Sequence, residues 1–134
     1  MNRLSNYMNF LIKHGRPLSE INPGSDEIAL NLDNTLQAIE LLQEAQLPIL
    51  GGDILSDDSG KLIYTYENWY CEKLEHENHN EYCLRSYNTT KIYLNNIIKK
   101  TTKIVMLSLL SEIKLPLRKK GNYLRCCVKK FKNT

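Results

Sequence analysis

The chain has 134 residues, 42% of them hydrophobic, and a formal net charge of +3, which is one domain's worth of sequence and too apolar for global disorder. A chain of this size builds a modest core without disulfides. No apolar run approaches the ~20 residues that a membrane span needs, and the start MNRLSNYMNFLIKHG lacks the apolar core and cleavage site of a secretory signal.

The expected setting is therefore cytoplasmic, with Cys71, Cys83, Cys126 and Cys127 as reduced thiols. The charge is unevenly spread. Residues 1–98 hold 7 Lys+Arg against 14 Asp+Glu, and residues 99–134 hold 11 Lys+Arg against one acid, Glu112. That asymmetry predicts an acidic α/β domain over 1–98 and a basic tail over 99–134, disordered or loosely helical.

In chain order, Leu4, Tyr7, Met8, Leu11 and Ile12 recur at helical spacing over residues 3–14, and Gly15 and Pro17 end that element. NPGSD, residues 22–26, is a turn, and EIAL, residues 27–30, a short strand. Asp33 is the expected N-cap of an amphipathic helix whose stripe is Leu32, Leu36, Ile39 and Leu42, widened by Ala38, Leu41 and Ala45. Pro48 stops it. Residues 48–55 read as a strand and Asp57-Asp58-Ser59-Gly60 as a turn in which Gly60 supplies positive φ. Residues 61–69 alternate as a second strand, closing a β-hairpin. The strand, helix and strand ahead of the turn form a short βαβ unit. A charged loop over 71–79 leads to a last helix, capped by Asn80 and running to about Ile98, with Cys83, Tyr87, Thr90, Leu94 and Ile97 inward. The segment Ile104 to Leu110 is apolar but flanked by basic clusters and followed by Pro116. The expected class is α+β: the βαβ unit and hairpin packed with helices, plus a basic extension.

Gly51-Gly52-Asp53 does not have the setting of a phosphate loop. Such glycines sit between a strand and a helix N-terminus, whereas these lie inside a strand, and no helix follows for about 25 residues. They read as a bulge or a point of close backbone approach, with Asp53 exposed beside it. Asp53, Asp57 and Asp58 lack the shaped loop of oxygens that calcium needs. Cys71, His76, His79 and Cys83 are the right residue types for zinc, but C-x4-H-x2-H-x3-C is not a finger spacing, and Cys83 fits the apolar face of the last helix. A Cys71–histidine nucleophilic pair has no third member and no glycine-rich oxyanion segment. The expectation is no catalytic residue, no metal and no cofactor.

What remains is surface. Tyr64, Tyr66 and Trp69 are the kind of side chains that anchor protein interfaces, although Trp69 also suits the core. Glu72 and Glu75 belong to an acidic loop that would steer a basic partner. Asp53, Asp57, Asp58, Tyr64, Tyr66, Trp69, Glu72 and Glu75 are the candidate partner-binding residues, and Gly51, Gly52 and Gly60 the candidate turn or bulge positions. Residues 99–134 offer phosphate neutralisation but no reading motif, so nucleic acid is a partner of the tail alone.

From about Phe10 to Ile97 the sequence resembles the Immunity protein 40 family of bacterial polymorphic toxin systems. The resemblance is carried by EIAL at 27–30, DNTLQAIELL at 33–42, LPILGGDI at 47–54, NWYCEK at 68–73 and EYCLRSYNTTKIYLNNI at 81–97. It implies a small α/β protein, without catalytic residues, that binds and neutralises a cognate toxin domain made by the same cell. Gly51, Gly52, Asp53 and Trp69 are its family-like residues. The basic tail departs from the pattern, because relatives are expected to end near the last helix. A toxin domain that is a nuclease would itself be basic and would associate faster with an acidic inhibitor.

Overall fold

The computed structural model describes residues 3–25, 27–57, 60–100, 105–111, 113–114 and 123–124, with side chains through Lys99. Helix α1 spans Arg3–His14, β1 Arg16–Pro17, and a single 3₁₀ turn Leu18–Glu20. Strand β2 (Ile28–Asn31) runs into α2 (Leu32–Glu44), followed by β3 (Ile49–Ser56), β4 (Ile63–Tyr70) and α3 (His79–Lys100). Three strands follow: β5 (Val105–Ser111), β6 (Ile113–Lys114) and β7 (Tyr123–Leu124). The class is α+β.

The main sheet has the order β1-β2-β5-β3-β4, with every neighbouring pair antiparallel. Strands β2 and β3 each run antiparallel to β5, so they run parallel to each other with β5 between them. This corrects two expectations. The βαβ unit is split, because a strand from beyond residue 98 enters its middle. The chain also does not divide at 98, since β5 pairs with β3 from Ile49↔Ser111 to Ser56↔Val105. The physical reason is visible in the residues: an uncharged, mostly apolar run suits a strand in the middle of a sheet, and Val105–Leu110 carries no charge. The basic clusters flank the strand and are not part of it. Redrawn at 111, residues 1–111 hold 10 Lys+Arg against 14 Asp+Glu, and residues 112–134 hold 8 against one. The segments 115–122 and 125–134 of the expected tail lie outside the described residues.

The core sits between the helices and one face of the sheet. Tyr7 and Leu11 of α1, Ala38, Ile39 and Leu42 of α2, and Tyr87, Leu94 and Ile97 of α3 meet Leu30, Ile49, Ile54 and Trp69. A smaller cluster, Leu18, Ala29, Leu55 and Leu62, includes the neighbours of Leu30 and Ile54 along the strands and so occupies the opposite face. The 3₁₀ turn carrying Leu18 covers it. Gly51 to Leu55 are therefore buried without a break.

Local signals explain most boundaries, with two shifts of cap. Asn31, not Asp33, caps α2: its side chain accepts from the Asn34 amide at 2.8 Å, and Asp33 lies within the first turn, where its charge suits the helix dipole. Leu36 of the expected stripe is 44% exposed, and Thr35 takes the inward position. Helix α2 ends in a Schellman motif, with Leu47 N–H donating to Leu42 O at 3.0 Å and Gln46 N–H to Gln43 O at 3.1 Å. Gln46 holds the left-handed position at φ 57°. Asn78, not Asn80, caps α3 through a reciprocal box with Glu81, each side chain accepting from the other's amide at 2.8 and 2.9 Å. Among the described residues no helix is long and apolar enough to cross a membrane.

Candidate functional site

The sequence candidates fall on the hairpin β3–β4 and on the loop that leaves it. Strand β4 ends the order of the main sheet, and seven of its eight residues are exposed or half-exposed on an edge. Its pairing with β3 is regular from Gly51↔Tyr70 to Ile54↔Glu67, and the next pair is Leu55↔Tyr64. Thr65 and Tyr66 are thus extra residues on β4, a two-residue bulge. The Thr65 hydroxyl donates to Ile54 O at 2.7 Å and accepts from the Glu67 amide at 3.2 Å. Tyr66 sits at φ 69° with 81% of its surface exposed.

The other candidates separate by burial. Trp69 is core: it is 6% exposed, its ring stacks on Tyr93 at 4.9 Å, and its indole N–H donates to the Thr90 hydroxyl at 3.0 Å. Burial pushes the Tyr93 phenol up to about 12, with the Glu67 and Asp53 charges adding to the shift. Asp53, expected beside the bulge and exposed, is only 6% exposed. The bulge falls on β4, so Asp53 stays within the β3 ladder between Asn68 and Ser108. Asp57 is held by Arg16 at 2.8 Å, and the same guanidinium binds Glu20 at 2.8 Å and the Gly60 carbonyl at 3.3 Å. That clamp ties the hairpin turn to the start of the sheet. Asp58 lies outside the described residues. Tyr64 is half-buried, and burial raises its pKa ahead of the nearby Glu27 charge.

Gly51 marks the close approach of backbones. Its φ is 152°, and a Cβ there would stand 2.3 Å from the Trp69 carbonyl oxygen. Gly52 is buried opposite Trp69. Gly60 turns the hairpin at φ 84°, donating to Asp57 O at 3.1 Å.

Glu72 and Glu75 are exposed on the loop after β4, as are Glu67 and Glu81 at its two ends. Glu77 differs: its side chain is 7% exposed and paired with Arg85. The guanidinium donates to both Glu77 oxygens, to the Glu72 carbonyl and, at 3.3 Å, to the Cys71 sulfur. This hydrogen bonding, helped by the Leu74 amide, holds the Glu77 carboxyl down at about 2. Arg85 and Glu77 fix the loop's course, a role that charge pattern alone did not reveal. Their spacing of eight residues across a loop and a helix start has no periodic signature.

The thiol and imidazole candidates are dispersed. Cys83 lies 3.4 Å from His79 Nε2 on α3, and Cys71 faces Arg85. His79 Nε2 is also 2.8 Å from Gln46 O. Among the described residues no group of three or more His, Cys, Asp or Glu side chains is placed to hold a metal ion. Among the described residues, the large apolar side chains exposed on β4 and the loop after it are Ile63, Tyr66, Tyr70 and Leu74. The β4 edge and the loop after it thus expose Tyr66 and Tyr70 together with the side chains of Glu67, Glu72 and Glu75.

Residues 17–111 match the family model described as Immunity protein 40, a span that includes β5. No curated protein and no solved structure matches the chain.

Proposed function

We propose, on the footing that the chain belongs to the Immunity protein 40 family over residues 17–111, that it neutralises one cognate toxin domain by stoichiometric, non-enzymatic binding. Toxin neutralisation is what membership of an immunity family implies. The finer reading places the contact on the β4 edge and the loop beyond it. The observation that carries it is the exposure of Tyr66 and Tyr70 on an edge strand continued by exposed Glu72 and Glu75.

Large aromatic side chains supply interface area at low entropic cost and dominate binding energy when buried by a partner. The carboxylates bring a complementary field. With 14 acids against 7 bases over the matched span, the domain attracts a basic partner and raises its association rate. A basic toxin domain, such as a nuclease, meets that requirement. A producing cell needs its inhibitor where the toxin is made, so the place of action is the cytoplasm.

The test uses the full chain, because a bait ending at residue 98 would lack the strand between β2 and β3. The tagged chain is exposed to lysate of the producing cells, washed at moderate salt, and the retained protein identified by mass spectrometry. The captured toxin domain is then expressed with and without the chain. The reading requires that co-expression restores growth; survival unchanged by the chain would reject it.

A further inference from the structure

We infer that the Thr65–Tyr66 bulge is the anchor of the interface, presenting the Tyr66 ring to an apolar pocket with a basic rim on the toxin domain; this rests on the reading above. A tyrosine at φ 69° occupies backbone space that a bulky L-residue disfavours. Among the described residues, the core clusters do not include it. The ring is 81% exposed, and its ring contact is with Tyr64, at 6.4 Å between centroids. A residue that breaks a local rule without a return in core packing is expected at a functional position.

The bulge is also closed from within. Thr65 replaces the ladder donor to Ile54 O with its own hydroxyl and takes the Glu67 amide on the same oxygen. Its β-branched side chain has few rotamers, so Tyr66 is set outward before any partner arrives. Preorganisation of this kind lowers the ordering cost of binding.

The choice of occupant follows from edge and charge. A flat edge strand invites pairing with a second copy of the same chain, and a bulge opposes it. Recognition at β4 is therefore by side chain. Glu67 follows Tyr66 and is exposed, and Glu72, Glu75 and Glu81 are exposed further along the chain. Lys73 is the exposed lysine among them. A pocket that receives the ring is thus met by the adjacent Glu67 carboxylate on a domain with an acidic excess, which fits lysine and arginine on its rim.

The experiment exploits the two non-glycine residues that, among the described residues, hold left-handed backbone, Tyr66 and Gln46. Glycine is at ease in that region, so Tyr66→Gly and Gln46→Gly should each unfold at or above the parent midpoint. Affinity is read by titration calorimetry with the toxin domain identified by capture and then purified. Gln46→Gly should bind as the parent does. Tyr66→Gly should bind about 30-fold or more weakly, the factor matching a 2 kcal/mol hot spot, while Tyr66→Phe recovers most of the loss. Raising salt should weaken the parent's binding.

Parent-like affinity of Tyr66→Gly would overturn the anchor and leave the neutralising role intact. A lowered unfolding midpoint for Tyr66→Gly would overturn it too, by giving the ring a structural task. A homodimer that Tyr66→Gly dissociates would assign the bulge to a second copy instead. Failure of the parent chain to bind the purified domain would remove the functional reading and the anchor with it.

Discussion

Replacing Gly51 with alanine tests the tightest point of the hairpin. The new Cβ would lie 2.3 Å from the Trp69 carbonyl oxygen and 3.1 Å from the Tyr70 Cα. Both are backbone atoms of β4, so no side-chain rotation relieves the contact, and the strand itself must move. Separating β4 from β3 at this register gives up a ladder bond worth about 1 kcal/mol net and strands a buried polar group at a cost of about 1–3 kcal/mol. The backbone at φ 152° adds roughly 1 kcal/mol for a residue with a Cβ. The sum is about 3–5 kcal/mol, a large part of the roughly 5–15 kcal/mol that holds a domain together. Urea unfolding followed by fluorescence reports it directly, because Trp69 is the chain's single tryptophan and adjoins the lesion. At a slope near 2 kcal/mol per molar, the midpoint should fall by about 2 M. Gly60→Ala is the comparison: φ is 84°, but an added Cβ there meets nothing within 4 Å, so only the conformational cost of about 1–2 kcal/mol applies. A Gly51→Ala midpoint within about 0.3 M of the parent would refute the close-approach reasoning.

Three further outcomes follow from other parts of the fold. Glu77 has its carboxyl lowered from 4.5 to about 2 by Arg85; a depressed carboxylate stabilises the fold above the unfolded value and loses that contribution as pH falls from 4.5 towards 2. The parent's unfolding midpoint should therefore drop more steeply across that window than that of Glu77→Gln, measured by thermal melts at stepped pH. Asn78→Ala removes one half of the α3 capping box and should cost about 1 kcal/mol in urea unfolding, with most of the loss returned by Asn78→Ser or Asn78→Asp. Thr90→Val deletes the acceptor of the buried Trp69 indole N–H and should cost about 1–3 kcal/mol, with a shifted Trp emission.

The helices and the hairpin were legible because their signals are local. The 3.6-residue spacing of Ile39, Leu42 and Ala38, the stop at Pro48 and the turn at Gly60 each act over a few residues. The place of β5 was not legible, since pairing between Ile49 and Ser111 spans sixty-two positions and leaves no local trace. Charge was misleading there: lysines on either side of Val105–Leu110 suggested a tail, although they flank a strand in the middle of the sheet. Within the candidate surface, the exposure of Tyr66, Glu72 and Glu75 agrees with what their residue types suggest. The burial of Asp53 does not, because an aspartate in a strand gives no sign of which face or depth it occupies. The left-handed backbone at Tyr66 was invisible for a stronger reason: an aromatic is among the last residues that propensity would place there, and only the register of β4 against β3 exposes it.

The central claim is that neutralisation is binding in fixed proportion, and a titration of toxin activity measures it most directly. The purified toxin domain is held well above the dissociation constant, and its residual activity is recorded as the chain is added. The account predicts a linear fall to an end point at one chain per toxin domain, unchanged by longer incubation and shifted far beyond equimolar by Tyr66→Gly. Loss of activity at a small fraction of equimolar, progressing with time, would mean that the chain turns over, and would contradict it.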